Sequence, residues 1–329
     1  MTVPLWLWAA TIALFLVLFT FDFLIVGRRP HVPKTPELLR WLGLFVGCAI
    51  AFGLFLGWQF GTDIGVQFFA GWLTEYSLSV DNLFVFVLIM ARFYVPRHLQ
   101  QYVLMWGIII ALVLRGIFIA LGAAILAQFS WVFYLFGIFL IITAVKLLTH
   151  GEDTDEEYQE NTIVRVVGRM VPVAPDFDGK NMRTTIGGKR MFTPLLLVLI
   201  AIGTTDVLFA LDSIPAIFGL TQIPFIVFTA NVFALMGLRQ LYFLLGNLLD
   251  RLVYLGVGLA AVLGFIGVKL IFTALHENSL PFINSGQPVD VLQISNWVSL
   301  AVIIGILAVT VVASLLHERR TQPVTTEED

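Results

Sequence analysis

Two short acidic blocks interrupt long apolar stretches of this sequence. In each block the second acid follows the first by six positions, and an amide or hydroxyl residue follows the second acid directly. The two blocks consist of Glu75, Asp81 and Asn82, and of Asp206, Asp212 and Ser213. Carboxylate, amide and hydroxyl oxygens are hard ligands, which suit manganese, magnesium or calcium. Asn231 could add a further oxygen. A single cysteine and the absence of histidine from the segment centres argue against zinc and copper(I).

The composition places these blocks inside a membrane. Of the 329 residues, 59% are apolar and 12% are charged, with a mean hydropathy of +0.93, whereas soluble proteins have about 45–50% and about 25%. A soluble helical core is excluded because several apolar runs reach the roughly 20 residues needed to cross ~30 Å of hydrocarbon. The sequence predicts an all-α polytopic membrane protein with nine spans, at 4–26, 38–60, 64–91, 99–126, 130–149, 193–219, 223–246, 253–275 and 293–316.

Basic residues predict the orientation of the spans. Of the 19 lysines and arginines, all but Arg115, Lys146, Arg239 and Lys269 fall at the loops or chain end that follow the odd-numbered spans. Positive residues mark the cytoplasmic side, so we expect the N-terminus outside and the C-terminus in the cytoplasm. The first span has no positively charged leader, and no small-residue cleavage site occurs before Phe21-Asp22, which predicts a retained helix rather than a signal peptide.

The third to fifth and sixth to eighth spans form an internal repeat. Besides the acidic blocks, Arg115 matches Arg239 in the second span of each copy, and Lys146 matches Lys269 in the third. Three spans are an odd number, so the second copy is inverted, an arrangement that places transport sites near the membrane midplane. The predicted regions are two N-terminal spans (1–63), the first repeat (64–150), a cytoplasmic loop (151–192), the second repeat (193–275), an external loop (276–292), and a last span with its tail (293–329).

Depth along each span predicts a ladder of carboxylates. Glu75 and Asp206 fall near the centres of their spans, with Asp81 toward the cytoplasm and Asp212 toward the outside. Intramembrane acids cost roughly 2.5–3.5 kcal/mol each and therefore face a partner or a watery cavity.

The intramembrane basic residues leave two interpretations of this ladder. By depth, Arg115 would pair with Asp212 and Arg239 with Asp81, while Lys146 and Lys269 would extend to the membrane surface. We also predict a helix break at Pro215, which would expose a carbonyl ligand. Four acids against two deep arginines favour a cation site, but purely structural ion pairing remains an alternative.

Several motifs resemble the TerC family of integral membrane proteins, specifically its Alx-like branch. They are E-Y-S-L-S-V-D-N-L-F-V-F from Glu75, T-P-L-L-L-V-L-I from Thr193, D-V-L-F-A-L-D-S-I-P-A-I-F from Asp206, and N-V-F-A-L-M-G-L-R-Q-L-Y-F-L-L from Asn231. The resemblance covers roughly residues 4–316. It implies a manganese exporter or metal-homeostasis protein of a bacterial inner membrane, in a family linked to tellurite resistance. The residues that it implies for metal handling are Glu75, Asp81, Asn82, Asp206 and Asp212.

One position departs from the pattern of that family. A glutamate often stands three residues before the first acid of the second block, where this chain has Gly203. The loss of this acid puts the identity of the metal in doubt.

The resemblance leads us to expect a transporter rather than an enzyme. Manganese would be its substrate, and we expect no tightly bound cofactor and no nucleic-acid partner. Two other functions stay open. One is a membrane scaffold or assembly factor that transports nothing. The other is an intramembrane aspartyl protease, because paired acids can act as general acid and base, although Gly203-Thr-Thr-Asp206 matches only half of the usual Gly-x-Gly-Asp signature.

Overall fold

The computed structural model describes residues 3–28, 35–129, 131–150, 170–245, 253–276, 278, 280 and 283–321. Its regular elements are ten helices and one hairpin: α1 (Leu5–Arg28), α2 (Thr35–Phe60), α3 (Thr62–Arg92), α4 (Arg97–Gln128), α5 (Val132–His150), β1 (Arg183–Ile186), β2 (Lys189–Phe192), α6 (Pro194–Phe218), α7 (Pro224–Met236), α8 (Leu238–Leu245), α9 (Leu255–His276) and α10 (Asn296–Thr321). A single 3₁₀ turn, Asn284–Gly286, precedes α10.

The helices match the nine apolar segments of the sequence. Eight spans are long and apolar enough to cross a membrane when α7 and α8 are counted together, and α1 adds the apolar stretch Leu5–Phe21. Many apolar side chains on α1, α4, α5 and α10 are exposed, as expected where helices face lipid. The prediction of an all-α polytopic membrane protein is confirmed.

The seventh segment is one span made of two helices. α7 ends at Met236 and α8 begins at Leu238, with Gly237 between them. A side chain at Gly237 would press on Leu42 Cδ1 at 3.1 Å and on the Tyr76 ring, so neighbouring helices approach closely at this point. Arg239 follows the break by two residues and is buried, with 7% of its surface exposed.

The predicted helix break at Pro215 is wrong. α6 continues through Pro215 and ends three residues later, at Phe218. A proline removes one backbone donor, which leaves the Leu211 carbonyl without its usual helical bond. Because Pro215 lies in the last turn, the loss is local and does not interrupt the helix. A helix break does occur in the next span, at Gly237.

Each helix of one predicted repeat packs against a helix of the other. α3 packs on α7, α4 on α6, and α5 on α9. The predicted inverted repeat, with a pseudo-two-fold axis in the membrane plane, would produce this pattern, because the first helix of each copy meets the second helix of the other and the two third helices meet each other. Gly137 and Gly267 allow the close approach of α5 and α9, since a Cβ on either residue would lie 2.9 Å from the carbonyl oxygen of the other.

The described part of the predicted cytoplasmic loop ends in a small antiparallel hairpin. β1 and β2 are joined by Gly187 and Gly188, which have φ values of +58° and +78°. Positive φ at both positions favours glycine strongly. Residues 151–169 of this loop lie outside the described residues.

Cysteine labelling would test the predicted orientation. In a Cys48→Ala background, Ser285→Cys should react with a membrane-impermeant maleimide in intact cells, because the 276–292 loop is predicted outside. Thr185→Cys on the hairpin should react only after permeabilisation. Both positions are exposed, so accessibility within the fold does not limit either reaction. The opposite labelling pattern would show that the predicted orientation is wrong.

Candidate ion site

The centre of the bundle contains a buried arginine that joins the two acidic blocks. Arg115 on α4 donates from Nη1 to Glu75 Oε2 at 2.8 Å and from Nη2 to Asp206 Oδ1 at 3.4 Å. Asn231 on α7 donates from Nδ2 to the same Glu75 oxygen at 3.0 Å. All four side chains are buried, with 0–2% of their surface exposed. One guanidinium therefore holds two carboxylates, one from each predicted repeat, and a single cation can balance only one of them.

The predicted pairing of Arg115 with Asp212 is wrong. The prediction compared the depths of Cα atoms, and by that measure Arg115 and Asp212 both lie on the outer side of the midplane. Side chains on an α-helix lean toward its N-terminus. The Arg115 side chain therefore leans from its own position back toward the centre of the bundle, where Glu75 and Asp206 lie.

Several buried oxygens around Arg115 lack a hydrogen-bond partner among the described residues. They are Glu75 Oε1, Asp206 Oδ2, Ser213 Oγ and Asn231 Oδ1. The Ser213 hydroxyl lies beside the Glu75 carboxylate, without a well-formed hydrogen bond between them. An unpaired buried polar atom costs about 1–3 kcal/mol, and more if the group is charged. A cation or ordered water in contact with these oxygens would remove that cost.

A cavity of about 310 Å³ lies next to this cluster. Its polar lining consists of Asn82, Thr143, Lys146, Asp212 and Ser213. Three of the six predicted ligands thus share one cavity, and Ser213 connects it to Glu75. The depth ladder predicted opposite halves of the membrane for Asp81, which precedes Asn82, and for Asp212. The packing of α3 against α6, with Gly71 facing Ile217, brings Asn82 and Asp212 to the same cavity.

Equivalent positions of the two predicted repeats line the cavity. Leu78 follows Glu75 by three positions, and Phe209 follows Asp206 by three; Asn82 and Ser213 each follow the second acid of their block. All four residues line the cavity, so equivalent positions of both repeats face each other there.

The α5 and α9 residues of the cavity break this symmetry. Thr143, Lys146 and Leu147 come from the C-terminal half of α5, and Leu259 and Leu263 from the N-terminal half of α9. Both halves belong to the predicted cytoplasmic side, so the lining extends toward that side of the membrane.

One predicted ligand, Asp81, remains outside this description. The side chain of Asp81 lies outside the described residues, although its backbone is part of α3, so the predicted Asp81–Arg239 pair stays a prediction. Among the described residues, no group of three or more histidines, cysteines, aspartates or glutamates is arranged to bind a metal. The described carboxylates of the two acidic blocks are divided between the Arg115 cluster, with Glu75 and Asp206, and the cavity, with Asp212.

A family comparison identifies the chain. Residues 60–322 match the model of the integral membrane protein TerC family. The chain belongs to the TerC family. The match begins just before α3 and covers both predicted repeats, so the Arg115 cluster and the cavity lie within the family domain.

Other TerC-like proteins align with nearly the whole chain. An uncharacterized membrane protein of Mycobacterium tuberculosis (strain CDC 1551 / Oshkosh) is 48% identical over 315 residues, which are 95% of this chain and 79% of the relative. The putative membrane-bound redox modulator Alx of Salmonella typhi is 36% identical over 324 residues, 95% of each chain. The chloroplastic thylakoid membrane protein TERC of Arabidopsis thaliana is 46% identical over 230 residues, 70% of this chain and 60% of the relative. No solved structure matches the chain.

The structure of this TerC-family protein adds one residue, Lys146, that the sequence did not assign to the site, and it shows Asn231, predicted only as a further oxygen, donating to Glu75. Lys146 lines the cavity, whereas its sequence position suggested only an extended side chain near the membrane surface. The matching lysines of the two repeats were the available signal. The hydrogen bond from Asn231 to Glu75 had no signal beyond an amide in an apolar segment, because it depends on how α3 and α7 pack.

Proposed function

We propose that this TerC-family protein is a membrane transporter that exports a hard divalent cation, with manganese as the proposed substrate, from the cytoplasm. The observation that carries the proposal is the buried Glu75–Arg115–Asp206 cluster, which has two carboxylates for one guanidinium. Oxygen ligands with excess negative charge suit manganese or magnesium. The cluster adjoins a cavity between the predicted inverted repeats, which is where transporters of this architecture bind their substrates.

The described residues suggest successive roles for the two parts of the site. A cation entering the cavity would exchange water for the oxygens of Asp212, Asn82 and Ser213. Ser213 would then pass it toward Glu75 and Asp206. Within the described part of the chain, Glu75 Oε1 and Asp206 Oδ2 have no hydrogen-bond partner. Arg115 keeps the two acids apart and neutralises part of their charge. Partial neutralisation matters because a transported ion must bind weakly enough to leave.

Lys146 would place a positive charge beside Asp212 at the mouth of the cavity. Its side chain is exposed and lines the cavity together with Asp212. With the cavity empty, its ammonium can offset the charge of Asp212, and an arriving dication would displace it. Export would follow when the two repeats rock about the axis between them and close the cavity on the cytoplasmic side.

Other functions fit these observations less well. A scaffold that transports nothing has no need for buried oxygens without partners beside a cavity. In an aspartyl protease two acids would act together, whereas Glu75 and Asp206 are both engaged by Arg115. The name of the Alx relatives describes redox modulation, but the only cysteine in this sequence is Cys48, so the chain has no internal pair of thiols. We therefore propose a transporter and not an enzyme.

The proposed setting follows from the positive-inside pattern. The protein would lie in a bacterial inner membrane with its N-terminus outside and its C-terminus in the cytoplasm. Its proposed partners are the cation and the lipid bilayer, with no tightly bound cofactor and no nucleic acid.

Asp212→Asn tests the cavity. The substitution preserves shape and removes one charge from a half-buried side chain, so we expect a folded protein whose manganese export falls at least about tenfold, the effect of about 1.4 kcal/mol in ion binding. The measurement is manganese flux into vesicles that contain the purified protein. The matched control is Asp290→Asn in the predicted external loop, which should transport normally. If Asp212→Asn transports manganese at the wild-type rate, Asp212 is not part of the ion pathway.

A further inference from the structure

A second cavity, of about 430 Å³, lies at the opposite end of α6 from the hairpin, on the predicted outer side. It is enclosed by the N-terminal part of α3, the segment after α6, the C-terminal half of α9 and the start of α10. Its polar lining includes Gln67, Thr221, Lys269, His276, Gln293 and Asn296. Among the lining residues that the structure describes, none is an aspartate or glutamate. The charge of this cavity is therefore opposite to that of the candidate ion site.

Lys269 provides that charge from inside the bundle. Its Nζ donates to Asn296 Oδ1 at 3.1 Å and to Ser299 Oγ at 3.0 Å, and only 7% of the residue is exposed. The expectation that Lys269 extends to the membrane surface is wrong, because α10 covers it and supplies polar partners. Both partners are neutral, and an ammonium group has three N–H donors. One donor and the whole charge remain unmatched within the described protein.

Two amides in this cavity have oxygens that are already bonded to the protein. Thr221 Oγ1 donates to Gln67 Oε1 at 2.6 Å, and Lys269 occupies the oxygen of Asn296. The NH₂ groups of Gln67 and Asn296 therefore remain as donors. A cavity whose described lining provides a buried ammonium and amide donors, but no carboxylate, is suited to a negatively charged ligand with several acceptor oxygens.

We propose that this cavity binds a tetrahedral oxyanion, with Lys269 as its charge partner and the amides of Gln67 and Asn296 as further donors. Phosphate and sulfate have this chemistry, and so does the phosphate of an anionic lipid at the membrane surface. A bound anion would supply the counter-charge that Lys269 lacks, because an unpaired charge within a membrane span is costly. The site does not depend on cation transport, since it shares no lining residue with the cavity of Asp212.

Asn296→Asp tests this site with little change in shape. The new carboxylate would stand where Asn296 Oδ1 now accepts from Lys269, so it would provide an internal counter-charge and repel an incoming anion. We expect the melting temperature of the lipid-depleted wild-type protein in maltoside micelles to rise saturably with sodium phosphate or sulfate, relative to sodium chloride at equal ionic strength. In Asn296→Asp the protein should melt higher without anion, and its anion affinity should fall at least about tenfold.

The controls separate the charge of Lys269 from general effects. Asn284→Asp makes the same substitution at an exposed loop residue and should respond to anions as the wild type does. Lys269→Met should also lose the response. If that variant does not fold, Asn296→Asp decides, because it retains Lys269 and adds its partner.

A parallel titration distinguishes the possible sources of the anion. Phosphatidylglycerol added to the same micelles replaces inorganic phosphate. A response to phosphatidylglycerol alone identifies a lipid headgroup, a response to inorganic phosphate or sulfate alone identifies a soluble anion, and a response to both identifies a site for the shared group. No saturable response to any of them in the wild type would overturn the proposal, and so would equal responses in the wild type and Asn296→Asp.

Discussion

Arg115→Met should destabilise the protein more than any other single substitution in the ion site. Arg115 is 1% exposed and bonds two buried carboxylates from different repeats. Removing one partner from a buried ion pair costs about 3–5 kcal/mol, because it leaves an uncompensated buried charge, and here two carboxylates would lose their cation. We expect a large fall in melting temperature, or failure to accumulate in the membrane, measured on purified protein or by quantifying the membrane fraction.

Two companion variants separate charge from packing. Arg115→Lys retains the charge but lacks the planar group that can bond both acids, so it should be affected less than Arg115→Met. Adding Glu75→Gln to Arg115→Met removes one of the unpaired carboxylates and should recover part of the stability. If Arg115→Met melts at the wild-type temperature, the two ion pairs contribute nothing measurable to the fold.

Glu75→Gln should abolish manganese export while the protein remains folded. The glutamine oxygen can still accept from Arg115 and Asn231, and Asp206 still pairs with the guanidinium. The change neutralises one of the two central carboxylates, which would leave Arg115 and Asp206 with no net negative charge. A dication would then lose its main electrostatic attraction to the cluster. The measurement is manganese uptake into vesicles that contain the purified variant, compared with its melting temperature.

A buried polar residue on α7 provides the matched control. Thr229 is fully buried, and its hydroxyl donates to the Phe225 carbonyl within its own helix, so Thr229→Val should preserve transport. The structural alternative makes the opposite prediction for Glu75→Gln: a loss of stability without a specific loss of transport. A folded Glu75→Gln protein that exports manganese at the wild-type rate would contradict the proposed function.

The structure shows where a side chain at Gly203 would lie. A Cβ at Gly203 would lie 3.2 Å from Ile110 on α4, one helical turn before Asp206 and on the α4 side of α6. A glutamate there would be close to the α4–α6 contact that contains Arg115. The acid that the resemblance leads us to expect at this position would therefore lie at the α4–α6 contact, and Gly203 is not among the described lining residues of the cavity that contains Asp212.

The sequence by itself determined the class of the protein and the positions of its spans. Hydropathy is a local property of the chain, and ~20 apolar residues must form a helix in lipid because no water can satisfy the backbone there. The same reasoning marked Glu75 and Asp206, because charges in such segments need an explanation wherever the helices pack. The sequence also predicted the internal repeat, since matching residues recur in the same order.

Only the tertiary structure decided which charges meet. Depth along separate helices could not show that Arg115 bonds Glu75 and Asp206, because the answer depends on the lean of each side chain and on how α3, α4 and α6 cross. It also could not show that α10 buries Lys269, since the two polar partners lie 27 and 30 residues away along the chain. Local patterns fix what a segment can bury, whereas contacts between distant helices fix the partner of each buried charge.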